Sequence, residues 1–237
     1  RYAAPGVILG LIGRDGHRLG RIADDARQRG ATVVTGSIDV RDRAAMRTWL
    51  LDMDGDHPID LLIANAGVME GTPLGGIIEP ADAAWDLMQI NVLGVMNTVQ
   101  SVLDGMVARG HGQIAVMSSI AAFIPLADSP SYCASKSAVL SYGLSLRALL
   151  ATRGVRVNVI CPGYIETPMM SRENGPKPFK ISADRAAQLI ARGLERDKAV
   201  ISFPTFFAWV TWFNGILPDG LRRRLSRSFR FTVSRRS

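Results

Sequence analysis

The sequence predicts an α/β fold, a doubly wound parallel sheet, and three observations carry that prediction. Short, largely apolar runs recur at residues 7–12, 31–38, 59–64, 113–117 and 155–160, each about the length of one strand buried on both faces. Between them lie stretches with apolar residues at helical spacing, and strands alternating with helices stack into a parallel sheet. The composition, 47% hydrophobic and 21% charged over 237 residues, is that of a globular chain long enough to bury a large core in one domain.

In order, the run 7–12 is the first strand, followed by a helix to about Gly30 with Leu19, Ile22, Ala23 and Ala26 on one face. Residues 31–38 form the next strand, ended by Asp39-Val40, and a helix covers 43–52. The strand at 59–64 closes on Asn65-Ala66-Gly67, and a long helix carries 84–109. The strand at 113–117 ends at two serines. Ser129 or Ser131 then opens a helix that runs to about Arg153, before strands at 155–160 and 199–203. Neither an internal repeat nor a low-complexity linker interrupts this pattern.

The formal net charge of +7 is unevenly placed. From Ala199 onward there are seven arginines and one acid, Asp219, so the first 198 residues are close to neutral. A near-neutral body argues against nucleic-acid binding and assigns the basic character to a tail with an anionic partner. Two cysteines, Cys133 and Cys161, do not make a disulfide framework, which agrees with a reducing, cytoplasmic setting. No signal peptide opens the sequence, and no uncharged apolar run is long enough to span a bilayer.

The chemistry concentrates between Ser118 and Val139. Tyr132 and Lys136 stand at i, i+4 and share one helix face. A free tyrosine, with a pKa of about 10, is a poor base near neutrality. A neighbouring ammonium favours the phenolate and is expected to bring that pKa towards working pH. Ser119, thirteen residues before Tyr132 at the end of a buried strand, can hold a substrate carbonyl oxygen while the tyrosine proton moves. A serine followed by Tyr-x-x-x-Lys at this spacing resembles the short-chain dehydrogenase/reductase family.

That resemblance covers roughly residues 1–203 and implies a Rossmann-type domain with a nicotinamide cofactor. It implies Tyr132 as general acid or base and Lys136 on the nicotinamide ribose. Ser119 would sit on the substrate oxygen, and Asn91 would order a water that extends the proton relay. Gly13 stands where an acid would take the 2′-hydroxyl of NAD, and Arg14 follows it, which favours NADP(H) over NAD(H). Asp39 and Val40 would flank the adenine, and the Asn65-Ala66-Gly67 turn would let backbone approach the cofactor. Pro162, Gly163, Ile165 and Thr167 match the segment that holds the nicotinamide amide. One departure is plain. The family's Thr-Gly-x-x-x-Gly-x-Gly turn, whose amides hold the pyrophosphate, is absent. Relative to the family roughly 25 residues are missing, including one central strand, which implies an N-terminally shortened form.

Residues 204–237 differ in kind, with an aromatic, uncharged stretch, then Pro218-Asp219-Gly220, then clustered arginines. This composition suits a lipid–water interface and suggests a peripheral place on the inner face of a membrane. It equally suits a helix that covers the substrate cleft or a subunit contact. The loop 169–180 with Met169, Met170, Pro176, Pro178 and Phe179, together with Phe123 and Ile124, predicts a mainly apolar pocket. The expected activity is therefore interconversion of a carbonyl and a secondary alcohol on an apolar, lipid-like compound. The alternative is a non-catalytic relative docked at a membrane. The family resemblance also implies a homodimer or homotetramer through the Asn91 and Tyr132 helices. Ala134, Ser137, Ala138, Ser141 and Gly143 are small enough for close helix packing.

Overall fold

The computed structural model describes residues 1–204, 220 and 231–233. Strand β1 (Ile8–Ile12) leads into helix α1 (Gly16–Gln28), and β2 (Thr32–Gly36) into α2 (Arg43–Asp56). After β3 (Leu61–Ala64) come α3 (Ala81–Met88), a π-helical turn at Gln89–Leu93, and α4 (Gly94–Arg109). Then follow β4 (Gly112–Met117), α5 (Pro130–Leu150), β5 (Val155–Pro162), the short β6 (Glu173–Asn174), α6 (Ala183–Glu195), β7 (Val200–Phe203) and β8 (Thr232–Val233). Helix starts follow local chemistry: the side chains of Asp15, Asp42 and Ser182 accept from the backbone N–H three residues on. Gly110, at φ 65°, ends α4 in the left-handed conformation that glycine adopts without strain.

The parallel sheet forms in two parts. β1 pairs with β2 along its whole length, while β3, β4, β5 and β7 form a second sheet in that order. Among the described residues no ladder joins β1 to β3. The four-stranded part is the more deeply buried: Ile114, Ala115, Val116, Val157, Val159 and Ile160 are inaccessible to solvent. One core packs these strands against α4 and α5, and Ile12, Ile38 and Trp49 from the β1–β2 side join it. A second core lies under α6, built on Ile160, Leu194, Ile201 and Phe203.

Several boundaries differ from the sequence reading. The helix expected over 84–109 starts at Ala81 and is broken in register by the π turn around Asn91. Helix α2 continues past 52 to Asp56, because Asp54 is held by Arg109 at 2.8 Å and by the N–H of Ile59 at 2.8 Å. Helix α5 stops at Leu150 rather than near Arg153. The amphipathic α6 was not anticipated, although Ser182 and the spacing of Ala186, Leu189, Ile190 and Leu194 announce it. Ile22, expected on the buried face of α1, is 48% exposed and borders the cavity described below. Gly143 faces inward rather than outward. A Cβ there would lie 2.5 Å from Val159 and 2.8 Å from Val116, so the glycine serves contact between α5 and the sheet. Ala134, Ser137 and Ser141 do lie on the exposed face of α5.

Candidate active site

The C-terminal ends of β1, β3, β4 and β5 open into one cavity of about 880 Å³, where ligands of open α/β sheets bind. All four residues of the Ser, Tyr, Lys and Asn set lie in or directly behind it. Ser119 follows β4, is buried, and its Oγ accepts from the N–H of Ala121 at 3.1 Å, which turns the chain away from the strand. Ser129 and Pro130 open α5, so Tyr132 and Lys136 project from its first two turns. The Lys136 Nζ lies 5.6 Å from the centroid of the Tyr132 ring and donates to the carbonyl of Met117 at 3.0 Å. The Ser118 hydroxyl fixes the same helix by donating to the carbonyl of Lys136 at 2.7 Å.

Burial sets the protonation of this pair. Desolvation pushes the Tyr132 hydroxyl up to about 12, against the lowering effect of its hydrogen bond with Ser119. Desolvation also pulls Lys136 down to about 8. Tyr132 itself is partly buried and lines the cavity. The ammonium stands 5.6 Å from the tyrosine ring and donates to a backbone carbonyl.

Asn91 is completely buried in the π turn. Its side chain accepts from the N–H of Val68 at 2.7 Å and donates to the Val68 carbonyl at 2.9 Å and to Ser135 Oγ at 3.1 Å. The amide thus ties the loop after β3 to α5. A π turn in a helix beside a cavity is a recurrent feature of functional sites. Gly67 is the second close approach: a Cβ would stand 3.3 Å from Asn91 Oδ1 and 3.4 Å from Lys136 Nζ.

The residues expected to hold a cofactor are brought together along the same cavity. Arg14, Asp39, Val40, Asn65, Ala66, Gly67, Pro162, Gly163, Ile165 and Thr167 all line it. Arg14 and Asp39 lie at one end, 3.5 Å apart. Arg41, which the sequence reading overlooked, grips Asp39 at 2.7 Å, and its hydrogen bond holds the Asp39 carboxyl below the usual carboxylate range. Val40 packs over Gly94, and its carbonyl accepts from Asn97 at 2.9 Å. Thr167 Oγ1 accepts from the N–H of Met170 at 3.3 Å and so shapes the loop that follows. A dinucleotide fits these residues. A cation beside a carboxylate suits a ribose or ribose phosphate, and Gly67 and Gly163 let the cavity wall pack closely, a Cβ at Gly67 meeting Asn91 and Lys136 and one at Gly163 meeting Phe203 and Pro204. The Gly-rich pyrophosphate turn is not among the 237 residues.

At the other end, the wall is only partly the one expected. Ile124, Met169 and Met170 line it, but Phe123 packs into the main core and Phe179 is 63% exposed. Pro176 and Pro178 are not among the lining residues. In their place stand Met69, Leu126, Tyr164, Glu173 and Phe231. Phe231 reaches the site because β8 pairs antiparallel with β6, matching Glu173 with Val233. Its N–H donates to Asp128 at 3.0 Å, and it forms an apolar cluster with Met69 and Val233 against which Leu126, Tyr132 and Met170 pack. Residues 231–233 thus cover the cleft. The stretches 205–219 and 221–230, which carried the membrane expectation, lie outside the described residues. Local sequence gives no sign of the β6–β8 pairing. Tyr164 and Glu173, however, sit within or just after the Pro-Gly-x-x-x-Thr segment and could have been suspected from it.

Fold and site together define the class: an α/β oxidoreductase of the nicotinamide-dinucleotide type. A family model described as short chain dehydrogenase matches residues 1–177. An uncharacterized oxidoreductase of Myxococcus xanthus is 33% identical over 234 residues, which cover 96% of this chain and 90% of that protein. The oxidoreductase UcpA of Escherichia coli is 33% identical over 196 residues, covering 79% and 73%. Among solved structures, a short-chain dehydrogenase from Sphingobium yanoikuyae in complex with NADPH superposes with a TM-score of 0.78. That match covers 97% of this chain and 89% of the other at 24% identity. The chain belongs to the short-chain dehydrogenase family.

Proposed function

We propose that the chain is an NADP-dependent oxidoreductase that interconverts a carbonyl and a secondary alcohol on an apolar substrate. The observation that carries this reading is the convergence of Ser119, Tyr132 and Lys136 on one cavity that Arg14 and Asp39 share. When bound there, the nicotinamide supplies or accepts the hydride. Ser119 holds the substrate oxygen. Tyr132, protonated at neutral pH with its pKa near 12, donates its proton to that oxygen in reduction and recovers it in oxidation. Lys136, charged below about 8, favours the phenolate left behind and would hold the cofactor ribose. Asn91 keeps the loop after β3 and helix α5 in place through Val68 and Ser135. Asp39 and Val40 would flank the adenine, and the turn Asn65–Ala66–Gly67 would let backbone approach the cofactor. Pro162, Gly163, Ile165 and Thr167 flank the nicotinamide.

The preference for NADP(H) rests on Arg14, whose partner Asp39 already shares its charge with Arg41. No helix among the described residues is long and apolar enough to cross a membrane. Both cysteines are free and buried, as a reducing setting allows.

Two substitutions test the reading. Tyr132→Phe removes only a hydroxyl, and it is expected to lower turnover by at least a thousandfold (about 4 kcal/mol of barrier) with little change in the thermal midpoint. Turnover within tenfold of the unsubstituted protein would refute the assignment. Arg14→Ala is expected to erase most of the difference between the dissociation constants of NADPH and NADH, measured by fluorescence titration. Equal constants in the unsubstituted protein would remove the basis for an NADP preference.

A further inference from the structure

Among the described residues three acids line the cavity, and two of them, Asp15 and Asp39, belong to the Arg14 end. The third, Glu173, stands alone among Met69, Leu126, Met170 and Phe231 at the opposite end, beside Tyr132 and Tyr164. It is 2% exposed, and its backbone is fixed by the pairing of β6 with β8. A buried carboxylate is costly unless a cation or hydrogen-bond donors compensate it. Lys177 is close enough to favour the ionised form, but its ammonium donates to the backbone carbonyl of Glu173. Among the described residues no lysine, arginine or histidine forms an ion pair with the Glu173 carboxyl. Among the described residues the Tyr164 hydroxyl is the side-chain donor near enough to favour the ionised carboxyl. An ionised carboxylate offers about four acceptor positions, so most of its capacity is left for whatever enters the cavity. Desolvation has raised its pKa to about 7, as expected for an acid whose compensation is incomplete.

We propose that Glu173 recognises a hydrogen-bond donor on the substrate, a hydroxyl or an amine remote from the reacting carbon. The substrate class is then an apolar ketone or alcohol with one polar, donating end, rather than a wholly apolar compound. This inference rests on the reading of the cavity as the substrate site of a carbonyl reductase. A site that hydrogen-bonds a donor discriminates steeply against the analogue that lacks it, because the buried acceptor is then left without a partner.

The probes are methyl ketones of increasing chain length that end in a hydroxyl, and the same ketones that end in a methoxy group. Binding is read first by thermal shift, with and without NADPH, so the result does not depend on turnover. The hydroxy ketone of best-fitting length is expected to bind at least about tenfold more tightly than its methyl ether. Glu173→Leu should bring that ratio close to one, and Glu173→Gln, nearly isosteric and folded if Leu is not, should reduce it severalfold. The inference is overturned if no hydroxy ketone in the series outcompetes its ether. It is also overturned if either folded variant keeps the full ratio. Reduction of the same ketones by NADPH is then followed at 340 nm. A bound, discriminated ketone that is never reduced would sink the proposed activity and leave the role of Glu173 standing.

Discussion

At the residue scale, the site is governed by what burial does to titratable groups. Tyr132, Lys136 and Glu173 are all shifted towards their neutral forms, and desolvation is the largest cause for each. For Glu173 this has a consequence for stability. Its folded pKa of about 7 stands above the ordinary 4.5, so protonation favours the folded state. The stabilisation is fully present below 4.5 and is lost as pH rises through about 7. At about 1.4 kcal/mol per pH unit it amounts to as much as about 3 kcal/mol. Among the described residues the groups that face this carboxyl are Tyr132, Tyr164 and Lys177. Relative to Glu173→Gln, the unsubstituted protein is therefore expected to lose stability between pH 4.5 and pH 7, read from urea midpoints at several pH values. A difference that stays constant across that window would contradict the shift.

At the scale of elements, two features position the catalytic face. The π turn at Gln89–Leu93 rotates Asn91 inward, where its amide joins the loop after β3 to α5. The β6–β8 pair is the other. It joins the loop after β5 to the C-terminal segment and carries Phe231 onto the Tyr132 ring. Phe231 is buried against four side chains, so Phe231→Ala should leave a cavity and cost about 3 kcal/mol, measured by chemical denaturation. It should also raise KM for apolar ketones, because one wall of their pocket is removed. Unchanged stability together with unchanged KM would mean that residues 231–233 do not close the cleft in solution.

At the scale of the whole molecule, two strand sets share one core, and a polar network fastens the far side of the sheet. Gln113 donates to Asn158 at 2.7 Å, Asn158 to Asp197 at 3.0 Å, and Arg147 to Asp197 at 2.7 Å. The outer face of α5 and its neighbours remains open. Ala134, Ser137 and Ser141 line it with Leu144, Leu149, Leu93 and Trp85, the last 71% exposed. Small residues that admit a close helix, flanked by exposed large apolar ones, suit a contact with a second copy. We propose a homodimer or homotetramer through this face. Light scattering at micromolar concentration should give two or four times the mass of one chain. A monomer would refute it.

The sequence by itself determined the fold class, the order of the main strands and the composition of the polar set. Buried parallel strands read as apolar runs, Tyr132 and Lys136 sit at a helical spacing with Ser119 at a strand end, and Asn91 was picked out by the family resemblance. Arg14, Asp39 and the Asn65–Gly67 turn were legible through the same resemblance, and each follows a strand, where an α/β sheet presents its ligand site. What the tertiary structure decided depends on distance in the chain or on burial. The pKa of Tyr132 followed from desolvation, which no i, i+4 pattern can report. Gly143 turned inward because Val116 and Val159 press on it from other elements. Glu173 became a cavity acid, and Phe231 a wall, through a two-residue pairing across nearly sixty positions of sequence, too short to leave a periodic signal. Local pattern names candidate residues. Only long-range packing says which of them lose their water, and that loss sets the chemistry.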